Sequence, residues 1–369
     1  MPDKDLSVSI VRMDKMNALQ GEWEALFEAT SASPCASFDW FSNYVSHKQL
    51  TENVRVCVVK DSKGTVGIIP LWLKKKFAFG VLPINIATVT GAGWVPESPV
   101  LLAERVHGGM PVVQTALEKI YRMGEKWHYC SILVPRTSSV VLNDNRNVTD
   151  SPRIVCARKN EPGSIVVELP GSVDEYRKNL SGKSRRKIGQ MARGLEQKGE
   201  VKLVRLGLDT SESEDKMLRL IEDSITVSRR SWQSKSKKGY AISDPDVQGF
   251  FTDVTLSLAK KGMVDLSVLY VRSKPISFDW GVARKGKVSG LKKGYDPEFR
   301  QFGPGIVHFA RLIEDSIKRG ITEIDLGIEF HEAKMRWSRK EHGLCKIRYY
   351  SPGLKARYLR WWLNLRGAV

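Results

Sequence analysis

The sequence is poor in cysteine, with five in 369 residues, and no two stand close enough for a CxxC pair. Cys35, Cys57, Cys130, Cys156 and Cys345 therefore suggest neither a zinc site nor a redox motif. An odd, scattered set fits a reducing compartment. Long apolar runs are also missing, and none could span a bilayer. Met1-Pro2-Asp3-Lys4-Asp5 leads into mixed polar sequence without the apolar core of a secretory signal, so a cytoplasmic location is expected. Low-complexity segments and short-period repeats are absent. No Ser-His-Asp or Cys-His arrangement is evident, so no covalent nucleophile is suggested.

Acidic residues are the other scarcity. Asp and Glu total 41 against 59 Lys and Arg, a net charge of +18. Such a field favours phosphates, nucleic acid or an anionic membrane surface. Hydrophobic residues at 41% and charged residues at 27% describe an ordinary globular chain with a sizeable core, and the length suggests two domains or three.

Apolar spacing predicts helices over 18–28 and 38–48, with Leu19, Trp23, Leu26 and Phe27 on one face of the first. Val54–Val59 and Val66–Leu73 flank the turn Asp61-Ser62-Lys63-Gly64 and read as a hairpin. A helix over 108–125 and a strand over Tyr129–Val134 complete a mixed α/β unit. Residues 143–163 are rich in Asn, Asp, Pro and Arg, with Ile154-Val155-Cys156 open to reading as a short strand, and we place the domain boundary there. Beyond it come a strand at Ser164–Leu169, a helix over 172–199, a strand at Val201–Leu206, and helices over 211–231 and 245–261. Three strands follow, 264–271, 275–283 and 287–295. A further helix then runs to about 319, and a strand covers Ile321–Leu326. The expected division is 1–155, 160–350, and a basic-aromatic helix at 351–369.

Arg300-Gln301-Phe302-Gly303-Pro304-Gly305 separates that last long strand from its helix. Glycines at 303 and 305 let a ligand approach the backbone. Pro304 suits the first helical position, where its missing N–H costs nothing. The helix beyond, with Ile306, Phe309, Ala310, Ile313 and Ile317 on its apolar face, turns free N–H groups and a positive dipole end toward the loop. Arg300 adds a cation suited to phosphate. The pattern reads as a phosphate-binding loop.

These residues resemble a known family. Arg-x-x-Gly-x-Gly between strand and helix is similar to the pyrophosphate signature of the GNAT acetyltransferase superfamily. Tyr295-Asp296-Pro297-Glu298-Phe299, Asp325-Leu326-Gly327 and Lys334-Met335-Arg336-Trp337 resemble, more narrowly, the BioF2-like, CelD-type (cellulose biosynthesis) acetyltransferase group, which is related to the Fem aminoacyltransferases. Trp23, Leu26, Pro34, Phe38, Trp40 and Ile68-Ile69-Pro70-Leu71 resemble its N-terminal domain, and Ser181–Ile188 the basic segment opening its second half. The resemblance implies an α/β (α+β) fold of two tandem GNAT-like domains, each a mixed, mostly antiparallel sheet flanked by helices. It implies acyl-CoA as co-substrate, held by Arg300, Gln301, Phe302, Gly303, Pro304 and Gly305, and no metal. The acyl group would pass to an amine in cell-envelope or polysaccharide biosynthesis. An aminoacyl-tRNA-dependent, Fem-like transferase and a non-catalytic accessory protein of polysaccharide export are the rival readings.

Transfer from a thioester needs a neutral amine, a donor for the oxyanion and a proton for the thiolate. The resemblance places the thioester between strands 287–295 and 321–326. Glu329 and His331 follow the second strand and either deprotonate the amine or form a surface pair. Asp279 sits in the apolar run Ile276–Trp280, as a core acid or facing the acceptor. Tyr295 either protonates the thiolate or packs at a strand end. Lys334, Arg336 and Trp337 are candidates for holding the acceptor, the two cations alternatively pairing with Glu332 and Glu329.

Two basic clusters stand out: Lys178, Lys183, Arg185, Arg186, Lys187 and Arg193, and then Arg229, Arg230, Lys235, Lys237 and Lys238 around Trp232. Each suits a phosphorylated acceptor, tRNA or lipid headgroups, or is a solvated helix face. At the C-terminus Leu354, Tyr358, Trp361, Trp362 and Leu365 recur at helical spacing beside Lys355, Arg357 and Arg360. That pattern fits either peripheral contact with the inner membrane face or a terminal helix packed on its domain.

Overall fold

The computed structural model describes residues 6–50, 52–91, 98–103, 109–136, 154–206, 212–235, 241–328 and 332–365. In chain order the strands and helices are β1 (Ser7–Val11), α1 (Gln20–Glu28), α2 (Phe38–His47), β2 (Val54–Asp61), β3 (Gly64–Ala78), β4 (Leu82–Val89), β5 (Leu101–Leu102), α3 (Gly109–Arg122), β6 (Tyr129–Pro135) and β7 (Val155–Glu168). There follow α4 (Val173–Asn179), α5 (Gly182–Glu196), β8 (Val201–Leu206), α6 (Glu214–Arg230), α7 (Pro245–Ala259), β9 (Val264–Val271), β10 (Lys274–Arg284) and β11 (Lys287–Tyr295). The chain continues through α8 (Pro304–Lys318), β12 (Glu323–Ile328), α9 (Glu332–Met335), β13 (Glu341–Tyr350) and α10 (Leu354–Leu365).

Two compact units result. The first takes the chain up to Ser164 together with the residues from Glu341 onward, and the second is Ile165–Lys340. This differs from the sequence-based division. The chain leaves the first unit inside β7, later than the expected boundary, and returns with β13. Residues 341–350, expected in the second domain, pair instead with the first unit's β6, in antiparallel register from Leu344↔Pro135 to Tyr350↔Tyr129.

Each unit is a mixed, mostly antiparallel sheet flanked by helices. In the first, β1, β2, β3 and β4 are antiparallel neighbours and β4 pairs with β6 in parallel across the α3 connection. In the second, β8, β9, β10 and β11 are antiparallel neighbours and β11 pairs with β12 in parallel across α8. Apart from the two-residue β5, which pairs with β3, strand, two helices, three strands, helix, strand is the order in both. The duplication is one of topology.

Local chemistry sets the helix starts. Ser37, Ser172, Ser181 and Ser213 each accept a backbone N–H from three residues on, at 3.1–3.4 Å. The helix expected over 172–199 is two helices for this reason. Leu180 and Ser181 are extended, and Ser181 caps a new start. In the first unit Trp23, Trp40 and Trp127 are fully buried. The Trp23 and Trp127 indoles donate to Ala36 O at 2.9 Å and Leu117 O at 3.1 Å. In the second, Phe309, Leu312 and Ile313 on α8 pack over Val288, Ile324 and Leu326 of β11 and β12.

Candidate active site

The site begins where β11 ends. Asp296 is buried, and its Oδ1 accepts the Glu298 N–H at 3.1 Å, starting a 3-10 turn over Pro297–Phe302. Its Oδ2 meets Arg230 at 3.3 Å and Lys274 at 3.6 Å. The turn closes on Gly303, at φ 56° and ψ 50°, and α8 starts at Pro304. Only glycine adopts that left-handed geometry without cost. The Gly303 carbonyl accepts from Ile306 and Val307 at 2.9 and 3.1 Å. Helix α5 lies directly against this turn. A Cβ on Gly303 would stand 2.6 Å from Met191 Sδ, and one on Gly194 would stand 2.8 Å from the Phe302 ring. Arg300, Gln301 and Gly305 remain exposed, and the Tyr295 ring lies 3.8 Å from a Cβ placed on Gly305. The six expected loop residues and Tyr295 therefore surround one helix N-terminus.

Below the loop two strands part. Parallel pairing of β11 with β12 covers Lys287↔Glu323, Val288↔Ile324 and Ser289↔Asp325 and then stops. On its other edge β11 bulges, because Trp280 faces Lys292 and Gly281 faces Gly290, leaving Leu291 over. Gly290 sits at the parting. A Cβ there would lie 3.5 Å from Asp325 O and 3.7 Å from Asp279 Oδ1. Asp279 is thus aimed at the place where the strands diverge.

Asp279 faces Lys293 across the β10–β11 pair, with Nζ 3.3 Å from Oδ2. Burial raises the Asp279 pKa above its ordinary value; Lys293 opposes that shift and Asp265 adds to it. Behind them Arg205 is buried and holds Asp265 through two bonds, of 2.7 and 2.6 Å, and Asp315 through a third of 2.9 Å. His308 on α8 is also buried. Its ring nitrogens lie 2.8 Å from Ser267 Oγ and 3.0 Å from Ser277 Oγ, and Ser277 donates to Gly294 O at 3.0 Å. Burial, reinforced by Lys293 and Arg205, lowers the His308 pKa to about 3, so the ring is neutral. The α8 helix is fixed to β9 and β10 by a neutral polar chain that needs no counter-ion.

The other expected site residues divide. The ammonium of Lys334 donates to Gly327 O at 3.0 Å and to Ile328 O at 2.7 Å. Asp325 Oδ1 accepts the Gly327 N–H at 2.7 Å, and Gly327 has a φ of 78°. Lys334 is therefore tied to the end of β12. Trp337 packs edge-to-face on Phe309, with centroids 4.9 Å apart, as part of the core wall. Arg336 is exposed. Glu329 and His331 lie outside the described residues.

Sequence reasoning passed over Lys293, the Arg205–Asp265–Asp315 cluster and His308. Lys293 had a usable signal, since pairing strands 275–283 and 287–295 through their short turn puts it opposite Asp279. Asp265 had none, because with Ser267 it reads as the solvent side of an alternating strand.

A family model described as "Acetyltransferase (GNAT) domain" matches residues 182–337. That span holds α5, the loop, the parted strands, Asp279, Lys293 and Lys334. No curated protein matches the chain. Among solved structures the chain resembles FemX at a TM-score of 0.58 and 11% identity, covering 96% of this chain and 99% of that one. It also resembles a conserved protein of unknown function from Bacteroides thetaiotaomicron, at 0.53 and 9%, covering 94% and 100%. A third likeness is to the C-terminal domain of a putative lysylphosphatidylglycerol synthetase from Agrobacterium fabrum, at 0.50 and 10%, covering 94% and 95%. At such identities these likenesses speak for the shared two-unit fold alone. The loop geometry and the domain match together make residues 182–337 a GNAT-type acetyltransferase domain and the chain an acyltransferase.

Proposed function

We propose that this enzyme moves an acyl group from acyl-CoA to an amine, as a BioF2-like, CelD-type enzyme of cell-envelope or polysaccharide biosynthesis. One observation carries the reading: the Arg300–Gly305 turn presents a helix N-terminus directly above the parting of β11 and β12. The pyrophosphate of coenzyme A suits the turn, with Arg300 as counter-charge and the α8 N–H groups as donors. The thioester then extends between the strands, toward Asp279.

The chemistry follows from what faces that gap. The amine nitrogen attacks the thioester carbonyl, a C–N bond forms and the C–S bond breaks. Asp279 takes a proton from the amine as it attacks, and Lys293 beside it stabilises the carboxylate form that does so. Tyr295, beside the N-terminus of α8, supplies a proton to the departing thiolate.

Isothermal titration with acetyl-CoA and longer acyl-CoAs tests the donor. Micromolar binding by wild type and a loss of about tenfold or more in Arg300→Glu are expected, about 1.4 kcal/mol for each factor of ten. Absence of binding to any acyl-CoA would sink the reading.

One observation favours a second donor. The basic residues Lys183, Arg185, Arg186 and Lys187 are carried by α5, the helix whose Met191 rests on Gly303. A cationic helix beside the donor turn suits an aminoacyl-tRNA backbone as used by Fem-type transferases. Retention on charged tRNA that survives physiological salt, without acyl-CoA binding, would decide for it.

A further inference from the structure

Most of the exposed large apolar side chains of the first unit lie on two elements in contact. Among the described residues, ten large hydrophobic side chains are exposed, and Phe77, Phe79, Val81, Leu354, Tyr358 and Trp361 are six of them. The first three form the tip of the β3–β4 hairpin, whose last pair is Ala78↔Leu82. Phe79 and Gly80 turn the tip with φ of 58° and 78°. The other three lie along α10. Contacts join the two elements: Phe79 packs against Trp362 at 4.0 Å between centroids and meets Tyr358 edge-to-face at 6.2 Å, and Lys355 Nζ reaches Pro83 O at 3.3 Å.

The way α10 sits resolves what its periodicity left open. The helix docks through Ala356 and Leu359, both buried, and leaves Leu354 at 82% and Trp361 at 56% exposure. The large aromatics therefore face outward. Val81 at 78% and Phe77 at 68% extend the same apolar surface. Such a concentration is unusual on a soluble surface and marks a contact site.

Charge states what the contact is. Lys75, Lys76, Lys355 and Arg357 are exposed around the patch, and residues 73–89 and 353–365 contain no Asp or Glu. Tyr and Trp beside Lys and Arg on one side of an amphipathic helix is the composition that settles at the headgroup level of a bilayer. Among the described residues no helix is long and apolar enough to cross a membrane. We infer that the β3–β4 hairpin tip and α10 together form a docking surface for an anionic lipid bilayer, with Phe77, Val81 and Trp361 entering the headgroup layer and the lysines over phosphate.

Co-sedimentation of the full chain with vesicles tests this, using phosphatidylcholine containing phosphatidylglycerol against phosphatidylcholine alone. Binding to the anionic vesicles that weakens with salt is expected. Phe77→Ser/Val81→Ser should cut partitioning about tenfold or more, since both side chains leave water on docking. Lys75→Gln and Lys76→Gln should each cost about fivefold. All four side chains are exposed, so unchanged circular dichroism and unchanged acyl-CoA titration should accompany the loss. No sedimentation of wild type with anionic vesicles, or equal sedimentation of wild type and Phe77→Ser/Val81→Ser, overturns the inference. So does a wild-type dimer that the same substitutions dissociate, because the patch would then be covered by a second copy.

Discussion

Gly303→Ala should damage the donor site in a way that can be divided into two parts. The backbone there is left-handed, at φ 56°. A residue with a Cβ pays about 1–2 kcal/mol for that conformation. The new methyl would also sit 2.6 Å from Met191 Sδ and 3.0 Å from its Cε. Overpacking of this kind costs about 1–3 kcal/mol, and a flexible thioether favours the low end. The sum, about 2–5 kcal/mol, is a large share of a typical domain stability but short of unfolding it. Three companions apportion it. Gly303→Asn keeps the collision and relieves the backbone cost, because asparagine tolerates the left-handed region. Met191→Ala removes Sδ and Cε. The double variant Gly303→Ala/Met191→Ala should then lose less stability than the two single changes added together. Urea unfolding and acyl-CoA titration, run on all four, read stability and donor affinity. The reasoning fails if Gly303→Ala binds acyl-CoA and unfolds like wild type, or if the double variant is strictly additive.

Three further outcomes follow from the geometry around the loop. Arg205→Ala leaves Asp265 buried without its partner and should cost about 3–5 kcal/mol in urea unfolding, far more than a surface ion pair. Lys334→Met uncaps Gly327 O and Ile328 O and should cost about 1–3 kcal/mol; an unchanged melting temperature would show that the ammonium does not hold β12. Asp279→Asn should lower kcat and abolish the acid limb of the pH profile, a limb set above the ordinary aspartate range because the base works only when deprotonated. The stability sign is opposite. The folded pKa of Asp279 exceeds the unfolded one, so its contribution is full below the unfolded value and is lost as pH rises through the folded one. Asp279→Asn should therefore be at least as stable as wild type at neutral pH, and a clear loss of stability there would contradict the buried-acid description.

The legible parts of this fold were those with a periodic signal of their own. Strands β9, β10 and β11 alternate or run apolar between turns, and Gly303-Pro304 punctuates a strongly amphipathic α8. The strands that escaped are specified by partners distant in sequence. Residues 157–163 carry Arg158, Lys159, Asn160, Glu161 and Pro162 and read as a linker, yet they form half of β7. At Gly163 a Cβ would stand only 2.0 Å from His342 O, so a close backbone approach holds that end and leaves little mark in composition. β13 is similar, since Glu341–Tyr350 pairs with β6 across two hundred residues of chain. Lys334 looked like an acceptor group because its partners are main-chain carbonyls, which no side-chain pattern announces. Asp279 was visible as an acid out of place, and the structure adds the lysine that faces it.

The return of β13 to β6 makes the first unit discontinuous, with the second unit's residues 165–340 written into the middle of it. On the ribosome the catalytic unit is complete before its host. Until residues 341–350 emerge, β6 waits with an open edge, the kind of edge that templates pairing with other chains. A chain stopped after Lys340 would carry every residue of the donor site and still leave that edge unpaired. Loss of the last strand should therefore appear as aggregation of the N-terminal unit, with the acetyltransferase domain itself intact.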